Sequence, residues 1–173
     1  NGEAGRLSNG NEVIQPGDTL VFVSNSTDQF AQVTRGVGKS DPDLKERAQI
    51  AVFGASQFGM RLASYYLSKG HNVVVIEPDL DAANELVGST VGNSKRLDVI
   101  HGDPQDEELL KELGIDTHDI AVAALNDDNL NIAISMRAKD KGVQRTGLVL
   151  KDRALVEAVQ RIGSINPVSR RQV

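Results

Sequence analysis

Gln49-Ile50-Ala51-Val52-Phe53-Gly54-Ala55-Ser56-Gln57-Phe58-Gly59 runs from a short apolar segment into a glycine-bounded hexapeptide and then into a helical pattern. Ile50–Phe53 have no polar partner in the alternation, which is how a strand buried on both faces reads. After Phe53 the hexapeptide Gly54–Gly59 reads G-x-S-x-x-G, one residue from the G-x-G-x-x-G of dinucleotide-binding turns. Gly54 permits the tight turn from strand to helix. The middle position must be small because backbone approaches pyrophosphate there, and Gly59 lets the helix pack close to the sheet. Ser56 replaces the middle glycine. It is small enough to be tolerated and carries a hydroxyl able to bond a phosphate. Beyond the turn, Phe58, Leu62, Tyr65 and Tyr66 fall at i, i+4, i+7 and i+8, the core stripe of an amphipathic helix.

Outward from this unit the chain repeats the alternation. Val73–Ile76, Leu97–Ile100, Ile120–Ala124 and Leu148–Leu150 read as further strands, separated by helical segments. Leu155, Val159 and Ile162 form the stripe of a last helix. Alternating strands and helices with short connections predict a doubly wound parallel sheet of Rossmann type in residues 49–173. In such sheets ligands bind outside the carboxyl ends of the strands, at the switch point. The polar residues at those ends are therefore the candidate site. Glu77 ends the second strand 23 positions after Gly54, where a dinucleotide site places a carboxylate for the ribose hydroxyls, with Pro78 next to it. A carboxylate there repels a 2′-phosphate, so NAD is favoured over NADP. Gly102-Asp103-Pro104 follow the third strand. Asp103 before Pro104 is also a natural helix N-cap with proline at N1. Leu125-Asn126-Asp127 follow the fourth strand, and with Asp128 they carry more polar groups than one cap needs.

Upstream the composition changes. Glu12–Gln15, Pro16-Gly17-Asp18 and Thr19–Val23 read as strand, turn, strand. An isolated hairpin is barely stable in water, so residues 1–34 are expected to be the tail of a preceding β-containing domain. Residues 35–48 read as a polar linker, turning helical at Leu44–Ala48. Together with the opening Asn1, this pattern suggests a piece of a longer protein.

The formal charge is −5, with 19 Lys and Arg scattered among 24 Asp and Glu, which argues against a nucleic-acid partner. The absence of cysteine excludes disulfides and thiolate metal sites. The longest apolar runs, such as Ile120–Leu125, are about six residues, far short of the roughly 20 a membrane helix needs.

GASQFG at 54–59, the VVVIEPD strand end, HGDPQDEELLKELGI and above all AVAALNDDNLNI resemble the N-terminal nucleotide-binding lobe of the regulator-of-potassium-conductance family, also called RCK or KTN. Within that family the likeness is greatest to the peripheral NAD-binding subunits of Trk-type potassium uptake. It extends over about residues 49–169, and NEVIQPGDTLVFVS resembles the end of the family's C-terminal lobe. The resemblance implies a cytosolic regulatory domain, peripheral to the inner face of the membrane. Such a domain would self-associate as a dimer or ring and bind NAD or NADH, or ATP or ADP in some relatives. Its nucleotide state would gate a potassium-transporting membrane subunit. Carried over, the pyrophosphate lies on Gly54, Ala55, Ser56, Gln57, Phe58 and Gly59, the ribose on Glu77 and Pro78, adenine beside Gly102, Asp103 and Pro104, and the second half near Leu125, Asn126 and Asp127. Besides Ser56, Gly147–Leu150 depart from relatives that place a basic residue in the fifth strand.

Two other classes start from the same fold. An NAD-dependent oxidoreductase needs a substrate pocket and an acid or base. Tyr65-x-x-x-Lys69 has the spacing of a short-chain dehydrogenase pair, but it lies on the first helix's core stripe. His71, His101 and His118 are isolated, with no second His at metal-binding spacing. A calcium-responsive domain would draw on Asp103, Asp106 and Glu107, or on Asp127 and Asp128. Helix capping accounts for those acids more simply, and the residues point to a non-enzymatic nucleotide sensor.

Overall fold

In the computed structural model, residues 19–23 and 44–159 are described. They form a six-stranded parallel sheet flanked by helices on both faces. The elements are β1 (Thr19–Val23), β2 (Gln49–Phe53), α1 (Gln57–Ser68), β3 (Asn72–Glu77), α2 (Leu80–Val87), β4 (Leu97–His101), α3 (Glu107–Leu113), β5 (Ile120–Ala123), α4 (Asp128–Asp140) and β6 (Arg145–Leu150). A further helix, α5, covers 153–159, and single 3₁₀ turns sit at Val91–Asn93 and Ile115–Thr117. Ile162 and the hairpin's first strand and turn, Glu12–Asp18, lie outside the described residues.

The strand order is β1-β6-β5-β2-β3-β4, and every pairing is parallel. The chain steps outward from β2 through β3 to β4, then crosses to β5 on β2's other side. The switch point is therefore the gap between β2 and β5. Side chains alternate between two cores, as the strand pleat requires. Ile50, Val52, Val73, Val75, Ile120 and Val122 meet Leu62, Ala63 and Tyr66 of α1 and Leu86 of α2. Ala51, Phe53, Val74, Ile76, Ala121 and Ala123 meet Leu110 of α3, Ile134 and Ala138 of α4 and Val156 of α5. Each fully buried aliphatic side chain contributes about 1.5–3 kcal/mol, which explains why the central strands carry almost nothing polar.

Two expectations change. Leu44–Ala48 are not helical; a turn at 46–47 leads straight into β2. Five residues do not nucleate a helix on their own. Ala48 is fully buried, with its N–H given to His71 Nδ1 at 3.0 Å and its carbonyl accepting from Asn72 N at 2.9 Å. Thr19–Val23, read as a strand of a preceding domain, adds to this domain's sheet, pairing in parallel with β6 from Thr19 opposite Thr146 to Val23 opposite Leu150. The exposed edge of β6 offers unpaired backbone groups, and a short apolar strand satisfies them.

Candidate functional site

The sequence-predicted residues converge on one rim. Because all strands run parallel, the residues after β2, β3, β4 and β5 emerge on the same edge of the sheet, with Phe53 level with Ile76 and Ala123, and Glu77 level with His101. Backbone bonds stitch this rim together: Gly54 N to Ile76 O at 2.8 Å, Ala124 N to Phe53 O at 2.7 Å, and Gly102 N to Glu77 O at 3.0 Å.

The turn at Gly54–Gly59 is as tight as its glycines suggest. Gly54 has φ +115°, and a Cβ there would come within 2.6 Å of the Ala124 carbonyl oxygen. A Cβ on Gly59 would stand 2.1 Å from the Gly54 carbonyl oxygen. Gly54, Ala55 and Gly59 are buried, Ser56 and Phe58 half-buried and Gln57 exposed. Ser56 is the N-cap of α1. Its Oγ accepts from Gly59 N at 3.1 Å and donates to the Ala124 carbonyl at 2.5 Å. The hydroxyl, read from sequence as a potential phosphate ligand, is thus engaged in both directions within the protein, and it bridges the switch point. The N–H groups of Ser56 and Gln57 have no acceptor among the described residues. They belong to the unsatisfied donors that begin any helix, and with the helix dipole they favour an anion.

Glu77 is buried and turned inward. Its Oε1 accepts from Ala55 N at 2.5 Å and its Oε2 from Asp79 N at 2.8 Å. One carboxylate therefore orders both the phosphate-type turn and the start of α2. Each oxygen retains a second lone pair for a hydroxyl donor. Pro78 is exposed, and its carbonyl accepts from His101 Nε2 at 3.1 Å. Gly102 is half-buried, Asp103 exposed and Pro104 buried. Asp103 is not the cap of α3. Its Oδ1 accepts from Gln105 N at 2.9 Å in a turn, and Asp106 is the N-cap, accepting from Glu108 N at 3.0 Å. The helix starts three residues later than Asp103-Pro104 suggests, because the Asp103 turn comes first. At β5, Leu125 is buried, while Asn126 and Asp127 are exposed. Asp127 caps α4 through Leu130 N at 3.0 Å.

The acids invoked for a calcium site have protein partners. Glu107 pairs with Arg137 and with Lys141 at 2.7 Å, and Asp128 accepts from Lys151 N at 3.0 Å and Asp152 N at 2.8 Å. Tyr65 packs edge-on against Tyr66, and burial pushes its hydroxyl pKa up. A catalytic tyrosine of a dehydrogenase needs the opposite shift.

A family model for the TrkA-N domain matches residues 50–169, well over half of the chain. The chain belongs to the TrkA-N domain family. Relatives include the Trk system potassium uptake protein TrkA of Halomonas elongata, 30% identical over 89% of this chain and 32% of that protein. The TrkA homolog of Archaeoglobus fulgidus is 26% identical over 94% and 36%, so the chain spans about a third of the length of these two. The Ktr system potassium uptake protein A of Vibrio alginolyticus is 27% identical over 67% of this chain and 50% of that protein. Among solved structures, the TrkA-N domain of the inner membrane protein ybaL from Escherichia coli superposes with TM-score 0.50 at 14% identity, over 69% of this chain and 98% of that one. That likeness speaks for the fold.

Within this TrkA-N domain, one residue outside the sequence-predicted set holds the β5 side of the rim. Asn131 has no exposed surface, and its carboxamide bonds both backbone groups of Leu125 and the Val149 carbonyl. Asp128 clamps the chain as it leaves β6. The signal for Asn131 was present: it is a polar residue next to the apolar stripe Leu130, Ile134 and Ala138 of α4.

Proposed function

We propose that this TrkA-N domain is a regulatory nucleotide sensor that binds NAD or NADH and does not consume it. The nucleotide is read across Gly54–Gly59, Glu77, Pro78, Gly102, Asp103, Pro104, Leu125, Asn126 and Asp127. The observation that carries the reading is the rim at the switch point. There a glycine turn, the start of a twelve-residue helix whose Ser56 and Gln57 N–H groups have no acceptor among the described residues, and the Glu77 carboxylate meet within one hydrogen-bonded unit. Those donors suit a pyrophosphate, and a carboxylate with lone pairs to spare suits ribose hydroxyls. When bound, the dinucleotide would supply charge and contact area rather than a hydride, since Tyr65 packs on α1 and Lys69 is the exposed cap at that helix's end, with its Nζ 5.7 Å from the Tyr65 ring centre.

The names of the relatives support a wider role. We infer a cytosolic domain at the inner face of the membrane, self-associating as a dimer or ring and coupled to a potassium-transporting membrane subunit. No helix among the described residues is long and apolar enough to cross a membrane. Residues 1–34, whose Thr19–Val23 lie on the β6 edge of this sheet, would then be the tail of a preceding lobe in a tandem protein, with 35–48 as the linker. Calorimetry with NAD, NADH, NADP, NADPH, ADP and ATP tests the ligand. NADP(H) should bind at least about tenfold more weakly than NAD(H), because the Glu77 carboxylate opposes a 2′-phosphate. Equal affinities would remove that role from Glu77. A preference for ADP or ATP would make this a mononucleotide site.

A further inference from the structure

β5 ends at Ala123, yet the next two residues form the wall of the switch point. Their backbone groups are held by side chains as much as by the sheet. Ala124 N still reaches Phe53 O, but the Ala124 carbonyl accepts from Ser56 Oγ. Leu125 is held on both sides by a single residue: its N–H donates to Asn131 Oδ1 at 2.9 Å, and its carbonyl accepts from Asn131 Nδ2 at 2.9 Å. The second Nδ2 proton goes to the Val149 carbonyl at 2.8 Å, which ties the wall to β6. These partners fix the amide's orientation, since a flipped carboxamide would face N–H with NH₂ and two carbonyls with oxygen. No other side chain with one donor or one acceptor can replace this set. The amide is fully buried, so water cannot substitute for it.

We propose that Asn131 is a positioning residue that sets the preference of this site for a dinucleotide over a mononucleotide. The inference rests on the nucleotide reading given above. In that reading the adenosine half lies along Glu77 and Gly102, and only the second half reaches Leu125 and Asn126. Asn131 touches neither the turn nor Glu77. It acts on the ligand solely through the Leu125 wall. Loss of its amide should therefore weaken a ligand that spans the switch point and spare one that stops at the pyrophosphate turn.

The experiment compares NAD and ADP affinities by calorimetry in the unaltered chain, in Asn131→Ala and in Arg137→Ala. Arg137 lies on the same helix, toward its far end, and ties it to α3 through Glu107, so it controls for general loosening of α4. Asn131→Ala should weaken NAD about tenfold or more while ADP changes less than about twofold, because misplacing a wall of the site penalises only the ligand that meets it. Arg137→Ala should leave the NAD-to-ADP ratio unchanged. Asn131→Ser, which keeps a hydroxyl, gives the same comparison if the alanine variant does not hold its fold. Parallel weakening of both nucleotides, or an unchanged NAD affinity, would overturn the positioning role while leaving the nucleotide reading intact. Failure of the unaltered chain to bind either nucleotide would overturn the nucleotide reading itself, and this proposal with it.

Discussion

His71 is a buried titratable residue just before β3, at the opposite end of that strand from Glu77. The residue is 7% exposed, Nδ1 accepts the Ala48 N–H, and the Tyr66 ring centre lies 6.0 Å away. Burial lowers its pKa, partly opposed by the Asp119 carboxylate and reinforced by Arg47. A folded pKa below the unfolded value of about 6.5 means that the unfolded chain takes up the proton first. The penalty is absent well above that value and grows as the pH falls through it, by at most about 1.4 kcal/mol per pH unit. Urea unfolding between pH 7.5 and 5.5 should show the unaltered chain losing stability more steeply than His71→Gln; equal slopes would show that the ring stays protonatable in the fold. None of this was legible in the sequence, where His71 reads only as an isolated histidine, because its partner Ala48 lies across the sheet entrance. Ser56 shows the same limit. Its size was readable from the fingerprint, but its bond to Ala124, 68 residues away, depends on the crossover at the switch point. The place of Glu77 at a strand end was legible from its spacing, yet its inward hydrogen bond to Ala55 was not, since spacing gives the strand end and not the rotamer.

At the scale of elements the glycine turn is where fold and site coincide. Gly59→Val places branched carbon where even a Cβ would lie 2.1 Å from the Gly54 carbonyl, so α1 must move off the turn. Stability should fall by about 3 kcal/mol in urea unfolding, as for overpacked sites, and NAD binding should be lost with it. A variant of full stability that still binds would show that α1 need not approach so closely. The strands were legible because burial on both faces leaves continuous apolar runs, and their cores match: Val52 and Phe53 sit on opposite faces, both fully enclosed. Helix starts were less legible. Asp103, Asp106, Asp127 and Asp128 are all good capping residues by type, and only the path of the chain decides that Asp106 and Asp127 cap while Asp103 makes a turn and Asp128 reaches the β6 exit.

Taken as a whole molecule, the sheet places the candidate site along β4-β3-β2-β5 and leaves β6 and β1 at the other end. The parallel class followed from the alternation of strands and helices. The place of Thr19–Val23 did not, because a strand beside a turn motif reads as a hairpin, while the open edge of β6 is a property of the assembled sheet. A regulator must bind its ligand with different affinity in two states, since a ligand with equal affinity for both shifts nothing. Under the proposed self-association, contact between neighbouring copies would supply such states. Sedimentation should therefore show a species heavier than a monomer, with an association constant that changes on adding NADH. A strict monomer under both conditions would mean that this domain does not form the switch unaided.

In the proposed reading, nucleotide sits on the switch-point rim. Amide chemical-shift mapping during an NADH titration tests it most directly, because it reports the N–H groups themselves. The expected result is saturable shifts concentrated at Ser56, Gln57 and Gly59, at Glu77 and Gly102, and at Leu125 and Asn126. Saturation without shifts at Ser56 and Gln57, or shifts centred elsewhere on the sheet, would contradict it.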